Sequence, residues 1–313
     1  MRAEEHPSHP PARWSADREL TLELVRVEVA EQFPRLRPLE VRYVGSGWDY
    51  DAYLANATWL FRFPRRRDVD EMLEREMAIL NRLPALPGAR IPQPELTGRP
   101  SPRFPYRFFG YRFIPGCGAD ELSPARLDRS GLAEQLGATL STLHASDPTD
   151  LIALGVPEER EEPQSRLDSV IESAPVIRRA LAADLDEPCA PYLSGAVEVP
   201  PPYGGPRRLI HNDIGIEHLI FDPRTGLLAG IIDWEDTSTG DPAFDFTGLR
   251  CWLGAGFVEE VLRHYPIGVD GGFRERLGFL ARAQALEWLG EALLKEGPDS
   301  LQVAWVRTAF LDG

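Results

Sequence analysis

Lysine and cysteine are both scarce in this 313-residue chain. Lys295 is the only lysine, so chemistry that requires a basic side chain elsewhere must use arginine or histidine. The three cysteines, Cys117, Cys189 and Cys251, are odd in number and far apart, and none lies in a Cys-x-x-Cys or Cys/His zinc spacing. The sequence therefore excludes a disulfide framework and a structural zinc site.

The chain also lacks an excess of positive charge and any long apolar run. Its 34 basic and 49 acidic residues give a formal net charge of −15, whereas nucleic-acid binders normally present a basic face. No uncharged apolar stretch approaches the ~18 residues that a membrane span needs. Residues 1–14 are polar and acidic rather than basic and then apolar. We therefore predict no nucleic-acid partner, no membrane association and a cytoplasmic location.

The first third of the chain has the pattern of a small sheet with helices. Residues 1–14 are proline-rich and aperiodic, which predicts a disordered tail. Residues 15–115 begin with a helical pattern and contain a second one over 68–83. Between these helices lie three runs rich in β-formers, which predict an antiparallel meander, around 39–45, 50–55 and 58–63. We predict that residues 15–115 form an N-terminal lobe.

The rest of the chain, residues 116–313, has mainly helical patterns. A proline- and glycine-rich stretch over 187–206 is typical of a loop, and a small sheet is predicted over 208–233. We predict a larger, mainly helical C-terminal lobe. The order of elements along the whole chain is typical of an α+β fold.

The segment 209–234 carries the residues with the clearest chemistry. It is predicted to form a strand, a tight polar loop, a strand, a turn and a strand that ends in an acid. Asp213 in the loop, His218 five residues later and Asp233 at the end of the hairpin can therefore converge. Phosphoryl transfer needs a carboxylate that orients the attacking hydroxyl and accepts its proton, together with groups that hold Mg²⁺ against the phosphates. The spacing is compatible with both requirements.

This segment resembles the H-x-D-x-x-x-x-N catalytic loop and the metal-binding acid of the aminoglycoside and macrolide phosphotransferase family. The resemblance extends over roughly residues 20–300, because further pieces stand in the family's order: the turn at 44–49, the strand end at 60–64, Glu76, the connector at 111–116, and Gly240-Asp241-Pro242. It implies a bilobal protein-kinase-like fold, with a nucleotide-binding N-terminal lobe and a catalytic, substrate-binding C-terminal lobe.

The resemblance also implies a role for individual residues. Asp213 is the catalytic residue, while His218 and Asp233 hold the metal ion. The nucleotide, ATP or GTP, is bound by residues of the first lobe, namely Gly45, Ser46, Gly47, Arg62, Glu76, Arg112 and Phe113. The implied activity is transfer of the γ-phosphate to a hydroxyl group of a small molecule such as a macrolide or aminoglycoside antibiotic.

Two positions depart from the family pattern. Arg62 stands where the phosphate-binding strand residue is often lysine, but a guanidinium can also bind phosphate oxygens through two hydrogen bonds. His218 stands where the kinase pattern has asparagine, and an imidazole suits Mn²⁺ better than Mg²⁺. The alternative for His218 is a packing role. For His211 we expect a structural role, with its ring bonded to the backbone near the loop.

Four acidic residues are candidates for binding the substrate. Glu235 and Asp236 directly follow Asp233, and Glu287 and Glu291 are one helical turn apart on a later helix. Carboxylates that line one cavity focus a negative field, which favours a cationic, hydroxylated small molecule. The alternative is that the acidic residues lie on solvated helix faces and serve solubility.

The sequence leaves two other functions open. One is a housekeeping kinase for a sugar, an amino alcohol or an amino acid, because the motifs do not separate this class from the antibiotic kinases. The other is a nucleotide-binding pseudokinase that senses or scaffolds without turnover, which Arg62 and His218 favour. The presence of both Asp213 and Asp233 argues against a pseudokinase, because such a protein is expected to lack the catalytic base.

Overall fold

The computed structural model describes residues 16–119, 121–122, 124–159, 162–295 and 300–312. The tail predicted over 1–14 lies outside these residues. The chain forms two compact units. The first unit contains residues up to Asn81 and Pro92–Phe113, and the second contains Arg82–Ile91 and the residues from Ile114 onward.

The first unit contains an antiparallel sheet and two helices among its described residues. In chain order, its elements are α1 (Leu22–Gln32), β1 (Val41–Ser46), β2 (Tyr50–Ala55), β3 (Trp59–Pro64), α2 (Arg67–Leu80), β4 (Leu96–Gly98) and β5 (Phe108–Arg112). The strand order is β1-β2-β3-β5-β4, and all neighbours are antiparallel. The meander formed by β1, β2 and β3 agrees with the three β-rich runs in the sequence.

A three-residue turn, residues 56–58, fixes the register of β2 and β3. Asn56 and Ala57 have φ values of 52° and 51°, as the tight hairpin turns that match the twist of paired strands require. The Asn56 side chain donates to the carbonyl of Leu36 and accepts from the N–H of Glu40. In the resulting register Ala52 lies opposite Arg62.

Side-chain alternation along β3 separates an aromatic core from a polar face. Phe61 and Phe63 have no exposed surface, and the Phe63 ring stacks on Phe108 with centroids 4.3 Å apart. Because successive side chains of a strand point to opposite faces, Arg62 points away from this core. There it forms an ion pair with Glu76 of α2.

The second unit is mainly helical. Its elements in chain order are α3 (Arg129–His144), α4 (Thr149–Ala153), α5 (Pro163–Ala180), α6 (Ala183–Ser194), β6 (Arg208–Ile210), β7 (Leu219–Asp222), β8 (Leu227–Ile231), β9 (Ser238–Gly240), α7 (Phe244–Arg263), α8 (Phe273–Lys295) and α9 (Ser300–Leu311). Two antiparallel pairs, β6 with β9 and β7 with β8, are inserted among the helices. Together the two units confirm the predicted α+β fold class.

Helix α6 corrects the sequence-based interpretation of 187–206 as a loop. The helix extends to Ser194 although it contains Pro188 and Pro191, each of which lacks a backbone donor. Its buried side chains outweigh this penalty, because Leu185 and Cys189 lie on one face and are almost completely inaccessible to solvent.

The segment 82–91 lies in the second unit, whereas the sequence assigns it to the first lobe. There Arg90 forms a parallel bridge with Gly230. Within the described ranges, no helix combines the length and the apolar composition that crossing a bilayer requires.

Candidate active site

A buried carboxylate holds the loop that follows β6. Asp245, in the first turn of α7, has no exposed surface. It accepts hydrogen bonds from the backbone N–H groups of His211 at 2.9 Å and Asn212 at 2.7 Å. Its Oδ2 atom also lies 2.9 Å from Nε2 of His144, whose Nδ1 atom is 2.7 Å from the hydroxyl of Tyr265. Hydrogen bonds to an ionised group are among the strongest in proteins, so this network fixes the start of the loop.

His211 is bonded to the backbone on both sides of its ring. Nε2 lies 3.0 Å from the carbonyl oxygen of Ile232, and Nδ1 accepts the N–H of Asp213 at 3.3 Å. These partners assign the proton to Nε2. Complete burial lowers the pKa of His211 to about 4, so the ring is neutral at neutral pH. A neutral ring with both nitrogens engaged links the loop to the end of β8.

His218 lies between the two predicted acids. Its Nδ1 atom donates to the backbone carbonyl of Asp213 at 2.7 Å and lies 3.3 Å from Oδ2 of the same residue. Its Nε2 atom lies 3.4 Å from Oδ2 of Asp233. The structure therefore brings together the three residues predicted to carry out phosphoryl transfer.

The backbone of Asp233 is in an unusual conformation. Its φ of 68° lies in the left-handed region, which non-glycine residues seldom adopt. Such conformations persist only where the surroundings impose them, and they cluster at functional sites. This turn directs the chain from the end of β8 into the segment that leads to β9.

The charges of the three side chains depend on one another. Burial raises the pKa of Asp213 to about 6, with His218 opposing the rise and Asp236, Glu217 and Asp233 adding to it. Burial alone would lower the pKa of His218, but the carboxylates of Asp213 and Asp233 outweigh it and raise the pKa. The Asp213 side chain is 41% exposed, so a substrate hydroxyl can reach it.

The donor set fits a metal ion that is bound together with a nucleotide. Because Nδ1 of His218 donates to a carbonyl, Nε2, which lies 3.4 Å from Oδ2 of Asp233, is the nitrogen that would bind a metal ion beside that carboxylate. The described residues contain no group of three or more His, Cys, Asp or Glu side chains that could hold a metal alone. Nucleotide-bound Mg²⁺ is usually held by one or two carboxylates, phosphate oxygens and water. Two protein ligands are therefore sufficient for such a site.

In the first unit, Arg62 is held rigidly. Its guanidinium forms an ion pair with Glu76, and the Tyr50 hydroxyl donates to the other carboxylate oxygen of Glu76 at 3.1 Å. The Arg62 guanidinium carbon lies 3.9 Å from the centre of the Tyr50 ring, close enough for a cation–π interaction. Sequence reasoning assigned both Arg62 and Glu76 to the nucleotide site but assigned no role to Tyr50.

The predicted glycine turn forms the tip of the hairpin between β1 and β2. Gly47 donates its N–H to the carbonyl of Tyr50 at 2.9 Å, and the Ser46 hydroxyl donates to Asp51 at 2.6 Å. A Cβ atom at Gly45 would meet no other atom within 4 Å. The backbone at Gly45 is therefore open on its side-chain position, as close approach of a phosphate group requires.

The two predicted connector residues lie at the end of β5. The Arg112 guanidinium lies 4.2 Å from the centre of the Trp59 ring and 3.7 Å from a carboxylate oxygen of Glu95. Phe113 donates its N–H to the carbonyl of Thr58 at 2.8 Å. These contacts continue the pairing of β3 with β5 by one residue beyond Arg112.

The four predicted substrate acids lie in different surroundings. Asp236 is exposed and close enough to raise the pKa of Asp213, while Glu235 beside it is partly buried. Glu287 on α8 forms an ion pair with Arg166 of α5 at 2.8 Å, so its charge is compensated. Glu291, one turn later, is exposed.

A polar pocket that the sequence analysis did not identify lies in the second unit. Its volume is about 390 Å³, and it is lined by Glu158, Glu159, Glu162, Pro163, Pro202, Tyr203, Arg207, Asp241, Phe244, Arg276 and Leu280. Four carboxylates and two guanidinium groups give the lining a net negative charge. Asn212 donates through Nδ2 to Glu159 at 2.7 Å, which joins the pocket wall to the loop that carries Asp213. The acidic run over 158–162 was the available signal in the sequence.

We predict that Asp245→Asn lowers the free energy of unfolding of the second unit by about 1–3 kcal/mol, because an amide cannot satisfy the buried donors that the carboxylate accepts. Urea unfolding followed by tryptophan fluorescence measures this loss. The matched control is Asp222→Asn, which removes a surface ion pair with Arg224 and should leave the free energy of unfolding almost unchanged. Equal losses in the two variants would contradict the anchoring role of Asp245.

Known proteins resemble the chain in both sequence and fold. The model of the phosphotransferase enzyme family matches residues 40–298. Viomycin phosphotransferase from Streptomyces vinaceus is 26% identical over 242 residues, which are 72% of this chain and 78% of that protein.

Solved structures extend the likeness over most of the chain. The GDP complex of aminoglycoside 2′-phosphotransferase-IIIa has a TM-score of 0.67 and 25% identity, covering 91% of this chain and 96% of that one. Macrolide 2′-phosphotransferase from Brachybacterium faecium has a TM-score of 0.60 and 19% identity, covering 93% and 98%; this likeness is one of fold alone. These matches confirm the predicted fold class.

Proposed function

Because the chain belongs to the phosphotransferase enzyme family, we propose that it transfers the γ-phosphate of ATP or GTP to a hydroxyl group of a cationic antibiotic. The observation that carries this proposal is the placement of His218 within 3.4 Å of both Asp213 and Asp233. The likeness to viomycin phosphotransferase and to aminoglycoside 2′-phosphotransferase-IIIa supports an antibiotic as the acceptor. Relatives solved with GDP, ADP and ATP support a purine nucleotide as the donor.

Asp213 is the catalytic residue of the proposed reaction. Its carboxylate accepts a hydrogen bond from the acceptor hydroxyl, orients the oxygen towards the γ-phosphorus and takes the proton as the new O–P bond forms. The bond between the γ-phosphorus and the bridging oxygen breaks, and the nucleoside diphosphate leaves. A divalent cation held by His218 and Asp233 would neutralise charge on the phosphate oxygens.

Arg62 is proposed to bind the phosphates of the nucleotide. A guanidinium is always charged and presents a rigid pair of donors to phosphate oxygens. Glu76 and Tyr50 fix its position before the nucleotide arrives, which reduces the entropy lost on binding. The open backbone of the turn at Gly45, Ser46 and Gly47 is proposed as a further phosphate contact.

The acidic pocket of the second unit is proposed to hold the acceptor. Carboxylates from the segment 158–162 favour an amine-bearing molecule. The hydrogen bond between Asn212 and Glu159 links this pocket to the loop of Asp213, so an acceptor bound there can place a hydroxyl near the catalytic carboxylate.

A phosphotransfer assay tests the proposal directly. ATP or GTP is offered with viomycin, an aminoglycoside or a macrolide, and nucleoside diphosphate release is compared with and without acceptor. We expect acceptor-dependent release, and Asp213→Asn should lower kcat about 100-fold or more, the contribution of a positioned base. Nucleotide binding should remain. Turnover that is unchanged in the folded variant would remove Asp213 from the mechanism, and activity with none of these acceptors would favour a housekeeping kinase or a pseudokinase.

His218→Asn tests whether this side chain holds the metal ion. Asparagine supplies the oxygen donor that Mg²⁺ prefers, so we expect the variant to retain activity and to favour Mg²⁺ over Mn²⁺ more than the unmodified enzyme does. The measurement is a titration of both metals at fixed nucleotide concentration. Superimposable metal profiles of the two proteins would place His218 outside the coordination sphere.

Glu162→Gln tests the acceptor pocket. Removing one exposed carboxylate from the lining should raise KM for a cationic acceptor about 2–5-fold, the range expected for a single exposed charge. The value of kcat should not change, and the difference should shrink as salt is added. Glu172→Gln on α5, the helix that directly follows Glu162, is the matched control, because Glu172 is exposed and does not line the pocket. Equal KM values for wild type and Glu162→Gln would argue against this pocket.

A further inference from the structure

Two arginines of the second unit approach each other without a carboxylate between them. Arg250 on α7 and Arg282 on α8 are both partly buried. No ion pair of either residue occurs within the described ranges, and Nε of Arg250 is a buried atom without a hydrogen-bond partner there. Burial, and then repulsion by Arg282, lower the pKa of Arg250. An uncompensated pair of cations is costly to bury.

Both guanidinium groups approach the backbone of α8 at Gly278. A Cβ atom at this position would lie 3.6 Å from Nη1 of Arg282 and 3.8 Å from Nη2 of Arg250. The terminal amines of both arginines therefore face one small region beside the backbone of α8. Guanidinium groups bind oxyanions through pairs of parallel N–H donors, and two such groups converge beside Gly278.

Two further arginines, Arg263 and Arg274, lie near Arg250, although the protein as a whole is acidic. Glu259 is the carboxylate that acts on Arg250, and it forms a bidentate pair with Arg274 at 2.7 and 2.9 Å. Its pKa is lowered first by that hydrogen bond and further by Arg250 and Arg263. One carboxylate thus faces several arginines, although the chain has a net charge of −15.

A second contact keeps Arg282 in place. Its Nε atom donates to the carbonyl of Ala309 on α9 at 3.2 Å, and its guanidinium lies 5.8 Å from the centre of the Phe310 ring. Nε and one ring hold the side chain, which also hydrogen-bonds the Tyr192 side chain, and Nη1 lies 3.6 Å from the position of a Cβ atom at Gly278. An anion there would meet a preorganised donor.

This region is distinct from the proposed acceptor pocket. Arg276 and Leu280 line that pocket, and they lie four residues apart on one face of α8. Gly278 and Arg282 are also four residues apart. Each of them lies two positions after its counterpart in the first pair, which is a rotation of about 200° around the helix. The two sets of side chains therefore lie on opposite faces of α8.

We propose that Arg250 and Arg282, which converge beside Gly278, form a binding site for a multivalent oxyanion of the phosphate class, separate from the catalytic residues. The two guanidinium groups, neither of which has an ion pair among the described residues, supply the charge, and the missing side chain of Gly278 lets both of them approach one point of α8. Such an anion would join α7 and α8, because each helix contributes one of the two donors.

Thermal unfolding of the full chain in inorganic phosphate tests the site. Phosphate replaces chloride at constant pH and ionic strength, and the melting temperature is followed by intrinsic fluorescence. We expect a saturable rise of about 2–4 °C at roughly tenfold excess over Kd. Arg282→Gln and Arg250→Gln should each abolish most of this rise. A wild-type melting temperature that does not respond, or a rise that survives in both variants, would overturn the proposal.

Two further variants separate anion binding from general stability. Arg307→Gln removes a surface arginine that pairs with Asp184, and it should keep the full phosphate response. Arg250→Met should be at least as stable as wild type in chloride, because it removes a buried cation that has no carboxylate partner among the described residues, and it should gain nothing from phosphate. A strong loss of stability in chloride, combined with an intact phosphate response, would make Arg250 structural and refute the site.

Discussion

The loop that carries Asp213 depends on the hydrogen bonds of one inaccessible carboxyl group. Asp245 accepts from two consecutive backbone N–H groups and from His144, so the chain between β6 and β7 has little freedom at its start. Asp213 follows within two residues of this anchor. The proposed catalytic residue is therefore positioned by the first turn of α7, and its own side chain remains partly exposed. Rigid support beneath an accessible carboxylate is what a positioned base requires.

The same residues also show how the site balances opposing electrostatic effects. Burial would neutralise both Asp213 and His218 if each were alone, and their contact limits this effect because each favours the charged form of the other. A cation at His218 and Asp233 would act in the same direction on the carboxylates. Among the protein's own groups, the net result is a raised pKa for both Asp213 and His218.

Sequence reasoning located the candidate site residues that lie close together along the chain. Asp213, His218 and Asp233 are connected by one loop and one hairpin, so strand and turn patterns were sufficient to predict their proximity. The α+β fold class and the phosphotransferase assignment are confirmed, because the motifs stand in the order of a known family. Helix α6 could not be predicted, since its prolines oppose a helix and only tertiary packing offsets them. The acidic pocket escaped prediction because distant segments assemble it.

The placement of 82–91 in the second unit has a consequence for dissecting the protein. The backbone of Arg90 forms hydrogen bonds with the backbone of Ala229 and Ile231. The side chain of Gln135 on α3 forms hydrogen bonds with the backbone of both Gly88 and Leu228, and so links 82–91 to β8. The chain consequently passes between the units at 81–82, 91–92 and 113–114. No single cut of the chain therefore separates the two units completely. A fragment that starts at Ile114 would expose the edge of β8 that 82–91 covers, and exposed strand edges promote aggregation.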